Sequence, residues 1–259
     1  MIFPETNTNL NTANTSKAPV IDIRELYKSF GKNNDVLKGI NLTLAPGENI
    51  VVLGKSGSGK SITIKCLVGL EVADKGVIKI FGTDISTMNE TALNEARVRI
   101  GFLFQNSALY DSMSVRKNLE FPLKRHSKNL TSEKVEESVK ETLDSVGLVE
   151  AIDKMPDELS GGMRKRIGLA RTLILKPEII LYDEPTTGLD PITSREISEL
   201  ILTLQKKHKT SSIIITHDMA CAKLTADRIV ILKDGIICAE GSYDTLEKSR
   251  DEFVRSFFI

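Results

Sequence analysis

The chain has 259 residues, and its 35 Lys and Arg residues balance 35 Asp and Glu residues, so its formal net charge at pH 7 is zero. This balance argues against a protein that holds DNA or RNA through phosphate contacts, and we expect no nucleic-acid partner. Three cysteines without a C-x-x-C pair argue against a disulfide framework and a zinc site, and no apolar run is long enough to cross a bilayer.

Residues 1–18 are rich in Asn and Thr and predict a disordered leader, because they offer little apolar surface to bury. We predict a single domain over residues 19–259. Its first half predicts strands at 20–30, 36–44 and 49–53, a helix at 60–70, and further strands at 77–81 and 100–104.

The stretch from residue 114 to about 157 is polar and predicts helices instead of strands. Apolar residues recur there at helical spacing, at Val135, Val139, Leu143 and Val146. After residue 160 the alternation resumes, with a helix to about 175, a strand at 178–182, a helix at 192–207, a strand at 211–216 and a hairpin at 228–240. This order predicts an α/β fold with a mostly parallel sheet, a helical subdomain at about 106–176 and a helical tail at about 243–259.

A Gly-rich segment between a predicted strand and a predicted helix fits the pattern G-x-x-x-x-G-K-[ST]. This phosphate loop consists of Gly54, Lys55, Ser56, Gly57, Ser58, Gly59, Lys60 and Ser61. Its glycines let consecutive N–H groups point at phosphate oxygens, and the helix that follows adds the positive end of its dipole. The pattern predicts that Lys60 reaches the terminal phosphates of ATP and that the Ser61 hydroxyl ligates Mg²⁺. We place the next residue, Ile62, among the nucleotide-binding residues as well.

Two carboxylates follow the apolar strand predicted at 178–182. The carboxyl end of a buried strand is where an open α/β sheet binds ligands. Asp183 suits coordination of Mg²⁺, and Glu184 suits positioning and polarising the attacking water. Alone, the pattern also fits a strand end followed by a helix N-cap. Beside a phosphate loop, it predicts a catalytic pair.

Residues 159–163, Leu-Ser-Gly-Gly-Met, are here called the signature segment. Ser160 is a good N-cap, but Gly161 and Gly162 each cost roughly 1 kcal/mol relative to Ala in a helix. They provide a bare helix N-terminus, which is a second anion site; the alternative is a capped helix with a flexible entry. One chain thus has two such sites but one set of Lys and Mg²⁺ ligands, which predicts a two-fold dimer that shares them.

The phosphate loop, the signature segment and the Asp183-Glu184 strand end together resemble the nucleotide-binding subunit of the ABC ATPase family, over about residues 20–242. The resemblance implies a P-loop NTPase sheet core, an N-terminal antiparallel β subdomain and a helical insertion that carries the signature. It also implies a homodimer that closes head to tail on two ATP molecules.

The resemblance implies roles for four further residues. Gln105 matches the glutamine that senses Mg²⁺ and the attacking water, and His217 matches the switch histidine at the γ-phosphate; without the family, a lone histidine after a strand is more often structural. Asp190 matches the segment that communicates across the dimer, and Phe30 the aromatic residue that stacks on adenine. Met163 departs from the usual glutamine, and because a thioether cannot donate a hydrogen bond, we expect altered dimer closure with hydrolysis retained.

Finer matches resemble the ATPases of Mla-type phospholipid transport systems. They lie at residues 101–110, 159–163, 190–193 and 254–258. This resemblance implies an integral membrane permease, an MCE-domain protein and, in some systems, a STAS-domain protein as partners, at the cytoplasmic face of the inner membrane. The alternatives are a transporter for another substrate, such as an amino acid or lipoprotein, and a non-transport ATPase that acts on a protein.

The segment at residues 106–113 follows Gln105 and carries the apolar residues Leu109, Tyr110 and Met113. We interpret it as the groove that receives the coupling helix of the permease. The alternative is an ordinary, partly buried loop.

Overall fold

A computed structural model describes residues 18–31, 34–127 and 130–258 of the chain. The predicted leader at 1–18 lies outside the described residues except for its last position. The predicted tail is described through residue 258.

The larger sheet has six strands in the order β10-β9-β3-β8-β7-β6. Among the described strands of this sheet, four neighbouring pairs are parallel and only β10 runs antiparallel to its neighbour. All six residues of β3 are buried, as expected for a strand covered on both faces. The strands are β3 (Asn49–Gly54), β6 (Ile100–Leu103), β7 (Ile179–Asp183), β8 (Ser211–Ile215), β9 (Arg228–Lys233) and β10 (Ile236–Gly241).

The smaller sheet is antiparallel throughout, in the order β2-β1-β4-β5. Its strands are β1 (Ile21–Ser29), β2 (Asp35–Leu44), β4 (Lys75–Ile80) and β5 (Thr83–Asp84). The β1 register shifts between Ile23 and Leu26, where Glu25 has a positive φ of 47°, so this strand bends over the larger sheet. The short β5 was not predicted.

The described part of the chain also contains nine α-helices. They are α1 (Lys60–Leu67), α2 (Glu90–Val98), α3 (Val115–His126), α4 (Ser132–Ser145), α5 (Gly161–Leu173), α6 (Pro191–His208), α7 (Met219–Thr225), α8 (Tyr243–Glu247) and α9 (Glu252–Arg255). Short 3-10 helices lie at Ile85–Thr87, Val149–Ala151 and Pro156–Glu158. No described helix has both the length and the apolar character that crossing a membrane requires.

Helix boundaries follow local capping chemistry. Thr131 caps α4, and the helix buries Val135, Val139 and Leu143 at the predicted spacing. The amphipathic tail is divided into α8 and α9, each with its own N-cap, Ser242 and Asp251. Helix α2 has no counterpart among the predicted elements, and its only buried residue is Ala96.

Two apolar cores lie on opposite faces of the larger sheet. One joins α1 and the smaller sheet to residues such as Ile50 and Ile213. The other contains residues of helices α3, α4, α5 and α6 and of the tail, together with strand residues such as Val51 and Tyr182. Alternate residues of the buried strands therefore point to different cores, so the sheet fixes both layers relative to the strand ends.

Candidate nucleotide site

Four parallel strands end at the same edge of the larger sheet. Leu103 is paired with Tyr182, and Asp183 with Ile215, so the segments after β6, β7 and β8 emerge side by side. Strand β3 is paired with β8 and delivers the phosphate loop to the same edge. This arrangement explains how residues separated by more than 150 positions in the sequence meet in one site.

The phosphate loop folds tightly because of its glycines. Gly59 has a φ of 104°, and a Cβ at this position would lie 2.6 Å from Leu37 Cδ2. A side chain at Gly54 would lie 2.6 Å from Leu232 O. Helix α1 then begins at Lys60, so the first N–H groups of the helix have no acceptor within it and are available to an anion.

Lys60 is directed back over its own loop. Its Nζ donates hydrogen bonds to Gly54 O at 2.7 Å and to Lys55 O at 3.1 Å. Burial lowers the Lys60 pKa, while the carboxylates of Glu184 and Asp183 act in the opposite direction. An ammonium beside two carboxylates, at the mouth of a loop of N–H groups, is suited to bind a polyphosphate.

Asp183 and Glu184 face different surroundings although they are adjacent. Burial, followed by the charge of Glu184, raises the pKa of the Asp183 carboxyl, and Lys60 partly offsets this. Glu184 has a positive φ of 53°. Its Oε2 accepts a hydrogen bond from Thr187 Oγ1 at 3.1 Å and lies 2.8 Å from His217 Nδ1. The Glu184 carboxylate is therefore held in place by two side chains.

A cleft of about 750 Å³ opens over these groups. It gathers most of the residues predicted for the phosphate, metal and base roles. Its lining consists of Phe30, Asn34, Val36, Gly54, Ser56, Gly57, Ser58, Gly59, Lys60, Ser61, Ile62, Gln105, Asp183, Glu184, Ile215 and His217.

Lys55 does not line this cleft among the described residues. Its Nζ instead lies 5.6 Å from the ring centroid of Phe253 in α9. Sequence reasoning missed Asn34, Val36 and Ile215 in the lining and Thr187 as a partner of Glu184. The three-residue spacing of Thr187 from Glu184 was an available signal, because a turn brings such positions together.

The residues present fit a magnesium ion bound together with phosphate. No group of three or more His, Cys, Asp or Glu side chains in the described part of the chain could hold a metal by itself. Mg²⁺ commonly takes one or two protein ligands, with phosphate oxygens and water completing its octahedron. Asp183, the Ser61 hydroxyl and the Gln105 amide are oxygen donors that line the same cleft.

The predicted residues of the second anion site lie elsewhere. Ser160 Oγ accepts a hydrogen bond from Met163 N at 3.2 Å and caps α5. Asp190 caps α6, where its Oδ1 accepts from Thr193 N and Ile192 N at 3.0 Å. The hydrogen bond from the Thr193 side chain lowers the Asp190 pKa. None of Ser160, Gly161, Gly162 and Asp190 lines the described cleft of its own chain.

Gly162 has a packing role in addition to the predicted exposure of N–H groups. A Cβ at this position would lie 2.7 Å from Thr193 Cγ2, because the first turns of α5 and α6 lie against each other. Gly161 is less constrained, with Leu189 Cδ2 at 3.5 Å from such an atom. The capped-helix alternative is thus part of the structure, and it is compatible with an anion site.

The segment at residues 106–113 is fixed by the buried Asn118. Asn118 Oδ1 accepts a hydrogen bond from Tyr110 N at 2.8 Å, and its Nδ2 donates to Met113 O at 2.9 Å. The Tyr110 ring is 40% exposed and packs edge-on against Phe121, with ring centroids 5.3 Å apart. Leu109 is half-buried against the adjacent core. The segment therefore presents a defined, partly apolar surface.

Comparison with protein families places residues 37–187 in a match to the model described as ABC transporter. Among curated proteins, the chain is 40% identical over 237 residues to a probable ribonucleotide transport ATP-binding protein, mkl, of Mycobacterium tuberculosis. That alignment covers 92% of this chain but 66% of the relative, so the chain spans slightly less than two thirds of its length.

Two further relatives carry different names. The chain is 37% identical over 254 residues to the chloroplastic protein TRIGALACTOSYLDIACYLGLYCEROL 3 of Arabidopsis thaliana, covering 92% of this chain and 73% of that protein. It is 36% identical over 226 residues to the methionine import ATP-binding protein MetN of Brucella abortus, covering 87% and 60%.

Two solved structures match the fold of this chain. The ATP-binding cassette MJ0796, in a dimeric post-hydrolysis state bound to ADP and Pi, matches with a TM-score of 0.77 and 30% identity over 86% of this chain and 98% of that chain. The protein cbiO1 of Clostridium perfringens, part of the ABC transporter complex cbiONQ, matches with a TM-score of 0.81 and 26% identity over 94% and 100%.

Proposed function

Because the chain belongs to the ABC transporter family, we propose that it is the ATP-binding and ATP-hydrolysing motor subunit of a membrane transporter. The predicted α/β fold class is confirmed: a P-loop NTPase sheet core carries an N-terminal antiparallel sheet and a helical insertion with the signature segment. We retain residues 19–259 as one ATPase domain, with a helical subdomain at about 106–176 and a tail at about 243–259.

The observation that carries this proposal is the convergence of the phosphate loop, Asp183 and the Glu184–His217 pair on one cleft. ATP lies with its adenine against Phe30 and its phosphates in the loop. Lys60, freed from the loop carbonyls, neutralises the terminal phosphates. Ser61, Gln105 and Asp183 would hold Mg²⁺, which would supply charge neutralisation at the phosphates.

Glu184 accepts the proton of the attacking water, because its carboxylate is fixed by Thr187 and His217 at the edge of the cleft. His217 in turn contacts the γ-phosphate and links its position to the base. Gln105, which follows the strand paired with that of Asp183, adds a polar group to the cleft and senses both water and metal. These roles combine proton transfer with positioning, and positioning together with electrostatic stabilisation dominates catalysis of phosphoryl transfer.

A homodimer completes each site. Ser160, Gly161 and Gly162 lie outside their own cleft, and we propose that they cap the γ-phosphate bound by the second copy, with Asp190 beside them. The likeness to a dimeric cassette bound to ADP and Pi supports this arrangement. In an isologous dimer, the phosphate loop of each copy faces the signature segment of the other copy, so that two complete sites form.

The proposed partner is an integral membrane permease whose coupling helix packs on residues 106–113, which would hold this chain at the cytoplasmic face of the inner membrane as a peripheral subunit. The exposed ring of Tyr110 and the half-buried Leu109 supply apolar contact, and Asn118 holds the segment in place. MCE-domain and STAS-domain proteins are further proposed partners, which follow from the Mla-type resemblance.

Phospholipid is the proposed substrate. One relative, 37% identical, is named after a galactosyl diacylglycerol, which is a membrane lipid. Two others are named for ribonucleotide transport and for methionine import, so a transporter of another substrate stays as the alternative. Native mass spectrometry of the complex purified with its permease separates them by the mass of the bound molecule. Purification without any permease would instead favour a non-transport ATPase.

The ATPase proposal is tested with Glu184→Gln and Lys60→Ala. E184Q keeps ATP binding but loses its general base, so we expect phosphate release to fall by about 100-fold or more and ATP to trap a dimer on size-exclusion chromatography. K60A loses the phosphate-neutralising charge, so its nucleotide affinity should fall at least about tenfold. Wild-type turnover by E184Q would remove Glu184 as the base.

A further inference from the structure

One face of α5 lies directly against the segment that leads from β6 through Gln105. Lys165, Gly168 and Arg171 are spaced three residues apart and therefore share this face. A Cβ at Gly168 would lie 2.9 Å from Ser107 Cβ, so the helix approaches the segment more closely than a side chain at this position would allow. Arg171 Nη1 donates a hydrogen bond to Ala108 O at 3.1 Å.

Lys165 occupies the most unusual position on this face. It is 5% exposed, although lysine is rarely buried without a partner. Its Nζ donates one hydrogen bond to Gln105 O at 2.5 Å and another to Glu184 O at 3.2 Å. Burial lowers the Lys165 pKa, and the charges of Glu184 and Asp183 act against this effect. The Lys165 ammonium thus links α5 to the backbone at Gln105 and to the backbone at Glu184.

The carbonyl of Glu184 belongs to a strained residue. Glu184 has a φ of 53°, a left-handed conformation that costs about 1 kcal/mol or more for a residue with a side chain. Its N–H donates to Ile215 O at 2.9 Å, and its carbonyl accepts from Thr187 N at 3.3 Å as well as from Lys165. This conformation directs the Glu184 carboxylate toward His217, so the groups that fix it also fix the proposed base.

We propose that Lys165 is a positioning residue, which locks the Glu184 backbone and the Gln105 segment together and so fixes the proposed base relative to Gln105. The inference rests on the proposed ATPase function. Because α5 begins at the signature segment, the same side chain ties the half-site offered to the second copy to the hydrolytic groups of its own cleft. Lys165 itself does not line the cleft.

The test is Lys165→Met, which keeps the length and apolar stem of the side chain and removes both hydrogen bonds. We expect kcat for ATP hydrolysis to fall by roughly 10- to 100-fold, the range for losing hydrogen bonds from a charged donor. Binding of the probe trinitrophenyl-ATP should stay within about twofold of wild type, because Lys60 and the phosphate loop are untouched.

Thr172→Val is the matched control. Thr172 lies two turns farther along α5, and its Oγ1 donates to Gly168 O at 2.8 Å and contacts Phe102 O at 3.4 Å, away from Gln105 and Glu184. The Val variant keeps the branched shape and should keep wild-type kcat. If T172V loses as much activity as K165M, the effect comes from general loosening of α5, and the proposal is wrong.

The rate of the double variant K165M/E184Q distinguishes a role that acts through Glu184 from a general loss of structure. Because Lys165 acts through Glu184, K165M should slow E184Q by no more than about threefold, which is far less than its effect on the wild-type chain. Independent, multiplying losses would overturn the proposal, as would a K165M chain with wild-type kcat. If the wild-type chain itself hydrolyses no ATP, the proposed function fails first, which is a separate outcome.

Discussion

At the scale of single residues, Gly162 is constrained from two sides. In the proposed function it leaves the first turn of α5 open to an anion, and it lets that turn pack on Thr193 at the start of α6. Thr193 cannot easily move away, because its Oγ1 donates a 2.6 Å hydrogen bond to Asp190 Oδ2. Any side chain at position 162 therefore meets a methyl group that is held in place.

Gly162→Ala should destabilise the fold by about 1–3 kcal/mol, the usual cost of overpacking. Thr193→Ser removes the methyl group that the new Cβ would meet and keeps the hydroxyl bonded to Asp190, so the double variant should recover most of this loss. Thermal denaturation of the three variants measures the effect. If T193S fails to rescue G162A, Thr193 is not what excludes a side chain there.

At the scale of elements, α5 and α3 together organise the surroundings of Gln105. Helix α5 holds residues 105–108 through Lys165, Gly168 and Arg171. Helix α3 holds residues 110–114 through the buried Asn118, which donates to Met113 O and Ser114 O. Ser107 and Ala108, both with positive φ, lie in the part that α5 holds. Displacement of this segment would therefore be transmitted to the cleft through Gln105.

Leu109→Asp tests the proposed permease groove. A carboxylate on the half-buried position beside Tyr110 should disrupt an apolar contact with a coupling helix, while the cleft residues stay unchanged. We expect basal ATPase activity within about twofold of wild type and loss of transport in reconstituted vesicles that contain the permease. Normal transport by L109D would contradict the groove assignment. Lys140→Ala, on the exposed side of α4, is a control for surface substitutions.

At the scale of the whole molecule, the predicted nucleotide residues other than Lys55 form two separate groups. One group lines the cleft at the strand ends, and the other lies at the N-termini of α5 and α6. A single chain therefore has an incomplete site if both groups are needed for hydrolysis. Two copies related by a two-fold axis would each supply the part that the other lacks.

Mixing two inactive variants tests this division. K60A disables the phosphate loop, and Ser160→Arg blocks the signature segment with a bulky side chain. In a mixed dimer one site carries both defects and the other carries none, so an equal mixture should recover about a quarter of wild-type ATPase activity if the sites act independently. A mixture no more active than the separate variants would contradict the shared-site dimer.

The sequence by itself determined the type of fold, and it predicted the chemistry of the cleft. The phosphate loop and the Asp183-Glu184 strand end are local patterns, because each role depends on neighbours within eight residues. The hairpin at Asp234 and Gly235 was predicted for the same reason, since both residues adopt the positive φ that such a turn needs. The roles of Gln105, His217 and Phe30 came from family resemblance, because a lone residue after a strand carries no pattern of its own.

Only the tertiary structure decided which distant residues touch. Lys165 is 60 positions from Gln105 and 19 from Glu184, and sequence periodicity shows only that it lies on a helix. The contact of Gly162 with Thr193, and the position of Lys55 near Phe253 instead of in the cleft, depend equally on how helices pack on the sheet. Motifs report local backbone geometry, whereas a buried ammonium or a close helix contact is set by the fold around it.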